Sequence, residues 1–315
     1  MKRTLGVVMD PLNQIHPKKD STLAMLWEAA RRDWQVFYFE QRQLFCHKNK
    51  PFGYARQLKL THNLPQWYTI VDEQEMDLST LDVILMRKDP PVNETYLYAT
   101  YILEHAENQG VLIVNKPQSL RDANEKLFAT YFPDCLPETL VTASIPGLYQ
   151  FWQTHRDIVC KPLNTMGGTH IFRVKEHDIN ANVIFETLTD NGARHIMAQQ
   201  YIPAITEGDK RILLINGEVI PYALSRVPQG RDWRGNLAVG AKGVVQPLSG
   251  RDHFICERVK PMLKKLGLYF VGIDIIGDYL TEINVTSPTG IRELDAALNI
   301  NICHQLFDCI EQLLR

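Results

Sequence analysis

The chain has 315 residues, 45% of them hydrophobic and 22% charged, with a formal net charge of −2 at neutral pH. This is the composition of an ordinary globular protein with room for one large or two to three smaller domains. A balance so near zero excludes bulk attraction to nucleic acid or to an anionic membrane, so any phosphate must be held by locally placed Lys, Arg and backbone N–H groups.

The N-terminal apolar run TLGVVM stops at Asp10-Pro11, too early for a signal peptide, and reads as a first strand. DSTLAMLWEAARRDW follows as a helix capped by Asp20 or Ser21, with Leu23, Leu26, Trp27 and Ala30 at helical spacing. Strands are expected at QVFYF and LDVILM, then a helix over NETYLYATYILEHAENQ and a buried strand at VLIV. Such alternation predicts a parallel sheet covered on both faces, with ligands beyond the carboxyl ends of its strands. Two polar clusters fall at such ends, MDP at 9–11 and MRKDPP at 86–91, although a Pro-rich turn explains each equally well.

Past residue 122 the pattern changes. DIVCKPL and HIFRV read as a hairpin joined by the Gly-bearing loop NTMGGT, and HIMAQQYI as a further strand. RILLI and VIPYALSRV form an antiparallel pair turned by Asn216-Gly217. The Gly-rich stretch 228–243 lacks periodicity, and loops of that length are usually functional. A helix over 251–266, two strands within YFVGIDIIGDYLTEINVTSP at 269–288 and a final helix complete the chain. No apolar run approaches the ~20 residues of a membrane span. The six cysteines form no C-x-x-C pair and the ten histidines no H-E-x-x-H spacing. A cytoplasmic protein with reduced thiols and no zinc site is expected.

Three polar residues interrupt the apolar segment 269–288. On a strand, Glu282 and Asn284 share a face. A three-residue turn at 277–279 would set Asp274 opposite Glu282, whereas a two-residue turn would set it on the wrong face. Two carboxylates and an amide that converge suit magnesium, but unrelated residues on solvated strand edges fit the spacing as well. Lys161 precedes a loop with two adjacent glycines, able to approach phosphate or simply to turn a hairpin. Lys126, Lys161, Arg211, Arg226, Arg234 and Lys242 together would serve a nucleotide triphosphate and an anionic substrate.

The blocks VMDP, VILMRKDPP, YATYILE, LIVNKPQSLRDANEKLF, MAQQYIP, GDKRILLINGE, RGNLAVGAKG and VGIDIIGDYLTEINVTSPTGIRE together resemble, in order and over nearly the whole chain, the bacterial glutathione synthetase family of ATP-grasp ligases. The resemblance implies an α/β and α+β chain: an N-terminal parallel-sheet domain at 1–122, a central lobe at 123–200 and a C-terminal lobe at 201–315. The two lobes would clamp ATP, beneath a lid at 228–243. It implies ATP-dependent joining of γ-glutamylcysteine and glycine through an acyl phosphate, with Mg2+ (or Mn2+ in its place), in a cytoplasmic homotetramer without nucleic acid or membrane partners.

Carried over residue by residue, Lys126, Lys161, Met166, Gly167 and Gly168 would meet the ATP phosphates. Gln199, Gln200, Tyr201 and Ile202 would hold adenine, and Asp209 the ribose. Asp274, Glu282 and Asn284 match the metal positions. Arg226, Ser287 and Thr289 match the peptide side, and Arg211, Arg226 and Arg234 the catalytic arginines. Two departures stand out: Thr165 where a Gly is usual, and Arg231-Asp232-Trp233 in place of a smaller, Gly-containing lid sequence. Another ATP-grasp carboxylate–amine ligase and a non-catalytic ATP-binding regulator are the alternatives.

Overall fold

The structure is a computed structural model that describes residues 2–230, 232–235 and 240–315. Three sheets organise it. The first contains β1 (Thr4–Val8), β2 (Gln35–Phe39), β3 (Leu44–His47), β4 (Lys50–Leu60), β5 (Tyr68–Asp77), β6 (Val83–Met86) and β7 (Leu112–Val114). Helices α1 (Ser21–Arg31), α2 (Glu94–Glu107) and α3 (Pro117–Asp122) accompany it. Asp20 is the cap of α1, its side chain accepting from Leu23 N at 2.6 Å.

The expected parallel sheet is real but smaller than the whole. Strands β2, β1, β6 and β7 run parallel, while β3, β4 and β5 extend the β2 edge in antiparallel pairing. Sequence periodicity misses this extension for a physical reason. Strand β5 is exposed along most of its length and carries Asp72, Glu73, Glu75 and Asp77, so it has no apolar face to announce it.

The second sheet has β8 (Thr139–Thr142), β9 (Ile158–Pro162), β10 (Phe172–Val174) and β11 (Ile196–Gln200), with α4 (Ile145–His155) and α5 (Ala181–Thr189). It encloses a separate core of residues such as Leu148, Cys160, Phe185 and Ile196. The third sheet has β12 (Asp209–Ile215), β13 (Glu218–Val227), β14 (Lys242–Pro247), β15 (Phe270–Ile276) and β16 (Tyr279–Asn284). Around it lie α6 (Gly250–Lys265), α7 (Ile291–Leu298) and α8 (Ile302–Leu313). Asn216 and Gly217, with φ of 49° and 76°, make the two-residue turn between β12 and β13.

The β15–β16 hairpin corrects one expectation. Its turn is the two-residue Gly277-Asp278, since Ile276 pairs with Tyr279. Gly277, at φ 56°, supplies the positive φ that a II′ turn needs at its first position. Asp274 nevertheless faces Glu282, because a bulge lets Ile275 pair with Leu280 and leaves Thr281 as the extra residue. The bulge, not the turn, resets the face.

The first and third sheets are joined. Both larger core clusters mix residues of the two, for example Leu5, Leu23, Phe270 and Phe307 in one of them. Buried Asn115 pins the seam: its amide nitrogen donates to Phe270 O at 2.8 Å and Val285 O at 2.7 Å, and its oxygen accepts from Phe270 N. On the outer side, buried Glu28 of α1 binds Arg31 and Arg32 and accepts from Asn301, while Arg32 reaches Asp308 and Glu311 of α8. Among the described residues, no helix is long and apolar enough to cross a membrane.

Burial alone would push the Glu28 carboxyl up, but Arg31, Arg32, His304 and Asn301 outweigh it and hold it down at about 2. A depressed carboxyl contributes stability above the ordinary Glu range near ~4.3, lost as pH falls toward the folded value. Glu28→Gln should therefore cost about 1.5–3 kcal/mol at pH 7 by removing charged hydrogen bonds to Arg31 and Arg32, although Arg32 keeps Asp308 and Glu311. Urea unfolding checks this, and the difference between the two proteins should shrink as pH drops from 5 toward 2, roughly the window set by the two ionisations.

Candidate active site

Strand register builds the charged floor of the site. In the third sheet Arg211 pairs with Asp274 across β12 and β15, and Asp209 pairs with Arg226 across β12 and β13. Cross-strand neighbours on one face lie within reach of each other, so these placements become ion pairs. Arg211 Nε donates to Asp274 Oδ1 at 2.5 Å and Nη2 to Oδ2 at 2.9 Å. Arg226 Nη2 donates to Asp209 Oδ2 at 2.5 Å and lies 2.9 Å from Asp274 Oδ2. All four side chains are buried. Burial would raise the Asp274 carboxyl, but the two guanidinium groups prevail and hold it below the usual range. For Asp209, burial prevails, helped by the neighbouring carboxylates of Asp274 and Glu282, and its carboxyl sits above the usual range. Its Oδ1 is buried without a hydrogen-bond partner among the described residues.

Glu282 lies opposite Asp274, and Asn284 donates its amide to Asp274 Oδ2 at 3.2 Å, leaving the amide oxygen of Asn284 available. Asp274 Oδ1 carries one donor where Oδ2 carries three. Two carboxylates and an amide oxygen thus offer hard oxygen donors on one face, which fit a cation that takes its remaining oxygens from phosphate and water. The described residues contain no group of three or more His, Cys, Asp and Glu side chains able to cage a metal unaided.

The second sheet supplies the opposite wall. Lys161, from β9, is buried, donates to Thr281 O at 3.3 Å and lies 3.9 Å from Glu282 Oε1. Burial lowers its affinity for a proton. Lys126, also buried, donates to Thr165 O at 2.5 Å and lies 3.6 Å from Glu282 Oε1. In the loop between β9 and β10, Gly167, Gly168 and His170 take positive φ values, 65°, 78° and 57°. Thr165 is not among the residues with positive φ, so the substitution there imposes no backbone strain.

These groups line a pocket of about 800 Å³, with Gln199, Gln200, Tyr201, Ile202 and Asp209 on its wall. Tyr201 is braced from behind by Arg173, whose guanidinium lies 3.4 Å from the ring centre and is held by both oxygens of Asp157. Three successive residues of the 228–243 loop touch this pocket. Trp233 meets Tyr201 edge-on at 6.4 Å, and Arg234 donates to Gly168 O at 2.9 Å. Gly235 packs so close that a Cβ there would lie 2.5 Å from that of Asp209. Arg231 and residues 236–239 of the expected lid lie outside the described residues.

A second pocket, about 850 Å³, adjoins the first, and Met166 and Gly167 line both. Arg211, Arg226, Asn284, Ser287 and Thr289 open onto it, as do Asp89 and Glu125, which sequence reasoning did not single out. The four residues after β16 and Val285 each tie to a different charged group. Thr286 donates to Glu125, Ser287 Oγ donates to Asp89 Oδ1, Pro288 O accepts from Arg87, and Thr289 O accepts from Arg211. The expected clusters at the ends of β1 and β6 also meet: Lys88 pairs with Asp10 at 2.8 Å and Asp89 N donates to Asp10 Oδ2. Of the six basic residues named from the sequence, Lys242 lines neither pocket and is exposed on β14.

Comparison with known proteins places this geometry. The family model for the N-terminal domain of prokaryotic glutathione synthetase matches residues 3–121, and that for its ATP-grasp domain matches 125–299. The glutathione synthetase of Escherichia coli (strain K12) is 54% identical over 311 residues, covering 99% of this chain and 98% of the relative. That of Salmonella typhimurium is 55% identical over 307 residues, covering 98% of each. Among solved structures, the D-cycloserine synthetase DcsG aligns with a TM-score of 0.69 at 13% identity, over 99% of this chain and all of its own (100%). The D-alanyl-alanine synthetase A of Vibrio cholerae aligns with 0.63 at 13% identity, over 99% of this chain and 98% of that one. These two show the shared fold. The chain belongs to the prokaryotic glutathione synthetase family of ATP-grasp ligases.

Proposed function

We propose that this chain joins γ-glutamylcysteine to glycine at the expense of ATP, giving glutathione, ADP and phosphate. One observation carries the reading beyond family membership. Two pockets share the Met166-Gly167 wall, one lined by Lys126, Lys161 and Arg234 and the other by Arg211 and Arg226. A nucleotide in the first and a carboxylate in the second would face each other across it.

The chemistry follows from the residue types. A carboxylate is a poor acyl donor, so the cysteinyl carboxylate first takes the γ-phosphoryl group of ATP. The acyl phosphate then reacts with the amine of glycine and phosphate leaves. Phosphoryl transfer needs positioning and charge neutralisation more than covalent help. Lys126 and Lys161 offer positive charge beside the glycine loop, and backbone N–H groups of Gly167 and Gly168 can approach phosphate closely. Gln199, Gln200, Tyr201 and Ile202 form the adenine wall, and the unpartnered Oδ1 of Asp209 is an acceptor for a ribose hydroxyl. Arg211 and Arg226, held rigid by Asp274 and Asp209, stabilise charge on the peptide carboxylate and the transferred phosphoryl group. Ser287 and Thr289 line the peptide side.

Asp274, Glu282 and Asn284 would hold Mg2+, with Mn2+ as a substitute. A bound divalent cation there neutralises phosphate charge. Arg211 and Arg226 keep Asp274 ionised and therefore competent to receive it. Arg234, through its bond to Gly168 O, latches the described part of the 228–243 loop onto the phosphate loop. That latch keeps water from the acyl phosphate, which would otherwise be hydrolysed.

ADP release, followed by a coupled assay, should require γ-glutamylcysteine and glycine together. Activity with a different acceptor and none with glycine would reassign the substrate. Chelation of divalent cations should abolish turnover, and Glu282→Ala should lower kcat by about 100-fold, in line with losses seen when metal-site groups are removed. An unchanged rate would show that Glu282 holds no metal. Arg234→Ala should uncouple the steps, so that more ADP than glutathione is formed. Equal yields would show that the latch does not protect the intermediate.

A further inference from the structure

The second pocket carries a charge pattern that the reaction itself leaves unexplained. The arginines suit carboxylates and the phosphoryl group, yet two carboxyl side chains, Asp89 and Glu125, open onto the same space. Carboxylates beside an anionic substrate repel it unless they meet a positive part of that substrate. A γ-glutamyl dipeptide has one: the α-ammonium of its glutamyl head, at the opposite end from the cysteinyl carboxylate.

The two carboxyls are not equivalent. Glu125 Oε1 is already committed to three donors, Val285 N, Thr286 N and Thr286 Oγ1, at 2.9, 3.0 and 2.8 Å. Burial pushes this carboxyl upward, toward the neutral form, against those bonds. Its work is to hold the turn after β16. Asp89 is different. Ser287 Oγ donates to its Oδ1, and its backbone N–H is anchored on Asp10. Among the described residues its Oδ2 accepts no hydrogen bond, and no Lys or Arg forms an ion pair with it. The neighbouring cations do not bind its side chain. Lys88 pairs with Asp10 and donates to the carbonyl of Asp89. Buried Arg87 donates to two neutral oxygens, of Thr22 and Pro288, and feels the Asp89 carboxylate only through space. Asp89 is thus oriented by Ser287, half-buried, part of the pocket lining and, among the described residues, without a directly bound cation.

Resting on the reading of this pocket as the dipeptide site, we propose that Asp89, oriented by Ser287, is the seat of the α-ammonium group of the γ-glutamyl head and so sets specificity for a γ-glutamyl peptide. It is a specificity residue outside the phosphoryl-transfer machinery, contributed by the end of β6 in the first sheet, whereas the ATP pocket is built from the second and third.

The test compares γ-glutamylcysteine with glutarylcysteine, the same dipeptide lacking only the α-ammonium. The unmodified protein should show a KM for glutarylcysteine about 10- to 100-fold higher, the loss expected for a charged hydrogen bond. Asp89→Asn should raise the KM for γ-glutamylcysteine to that level. The KM values for glutarylcysteine and ATP should stay where they were. Equal KM values for the two peptides with the unmodified protein would overturn the inference without any variant. So would a variant in which both peptides weaken alike, since that is structural damage. If the unmodified protein released no ADP with γ-glutamylcysteine and glycine, the functional reading would fail first, an outcome distinct from either.

Discussion

Four buried charges set in register across three strands are the constraint on which the site depends. Asp209, Arg211, Arg226 and Asp274 are each costly to bury alone, since an unpaired ion in a low-dielectric interior loses its hydration without compensation. Pairing β12 with both β13 and β15 places the two acids against the two bases. A shift of one residue in either pairing would turn the side chains to the opposite faces and separate them. The bulge at Thr281 is part of the same solution, because it sets Glu282 on the face where Asp274 lies. Register thus fixes both the stability of the third sheet and the placement of its oxygen donors.

A division of mechanical roles follows from the cores. The second sheet has a hydrophobic cluster to itself, whereas the first and third share theirs and are pinned by Asn115 and clasped by the α1–α8 ion network. The lining of the first pocket comes from both the independent body and the joined one. Many of the contacts that span them at that pocket are polar, among them Lys161 to Thr281 O and Glu282, Lys126 to Thr165 O and Arg234 to Gly168 O, beside the aromatic edge of Trp233 on Tyr201. Such contacts can be exchanged for ligand contacts at little cost in buried apolar area, which suits surfaces that must open to admit a nucleotide.

Much of this was legible in the sequence, though unevenly. Strands with a clear apolar face, such as β1, β6 and β15, announced themselves, as did the Asp20 cap and the Asn216-Gly217 turn. Of the antiparallel β3–β5 extension, β5 did not, because an exposed acidic edge strand has no period to detect. Among candidate site residues, spacing left Lys161 and the Asp274–Glu282–Asn284 set open and the family resemblance singled them out, while the route by which Asp274 reaches its face was expected to be a three-residue turn and is a bulge. A bulge leaves no mark in one sequence beyond its count of residues, and a three-residue turn satisfies that count equally well. Asp89 was visible only as one member of the 86–91 cluster, and Glu125 not at all, for another reason. Their significance lies in neighbours about two hundred and one hundred and sixty positions away, Ser287 and Thr286, and no local pattern encodes such a meeting. Trp233 was visible as an oddity, but only the fold brings it to the edge of Tyr201.

The shared Met166-Gly167 wall has a thermodynamic consequence. A loop that forms part of two binding surfaces cannot be ordered by one ligand without altering the conformational freedom left for the other. Occupancy of the first pocket and of the second are therefore linked quantities, and the linkage is symmetrical. Whatever factor a ligand of one applies to the affinity of the other, the second ligand must apply to the first. Two adjacent glycines make that wall easy to rearrange, so its cooperativity resides in a turn of backbone between the two ligands.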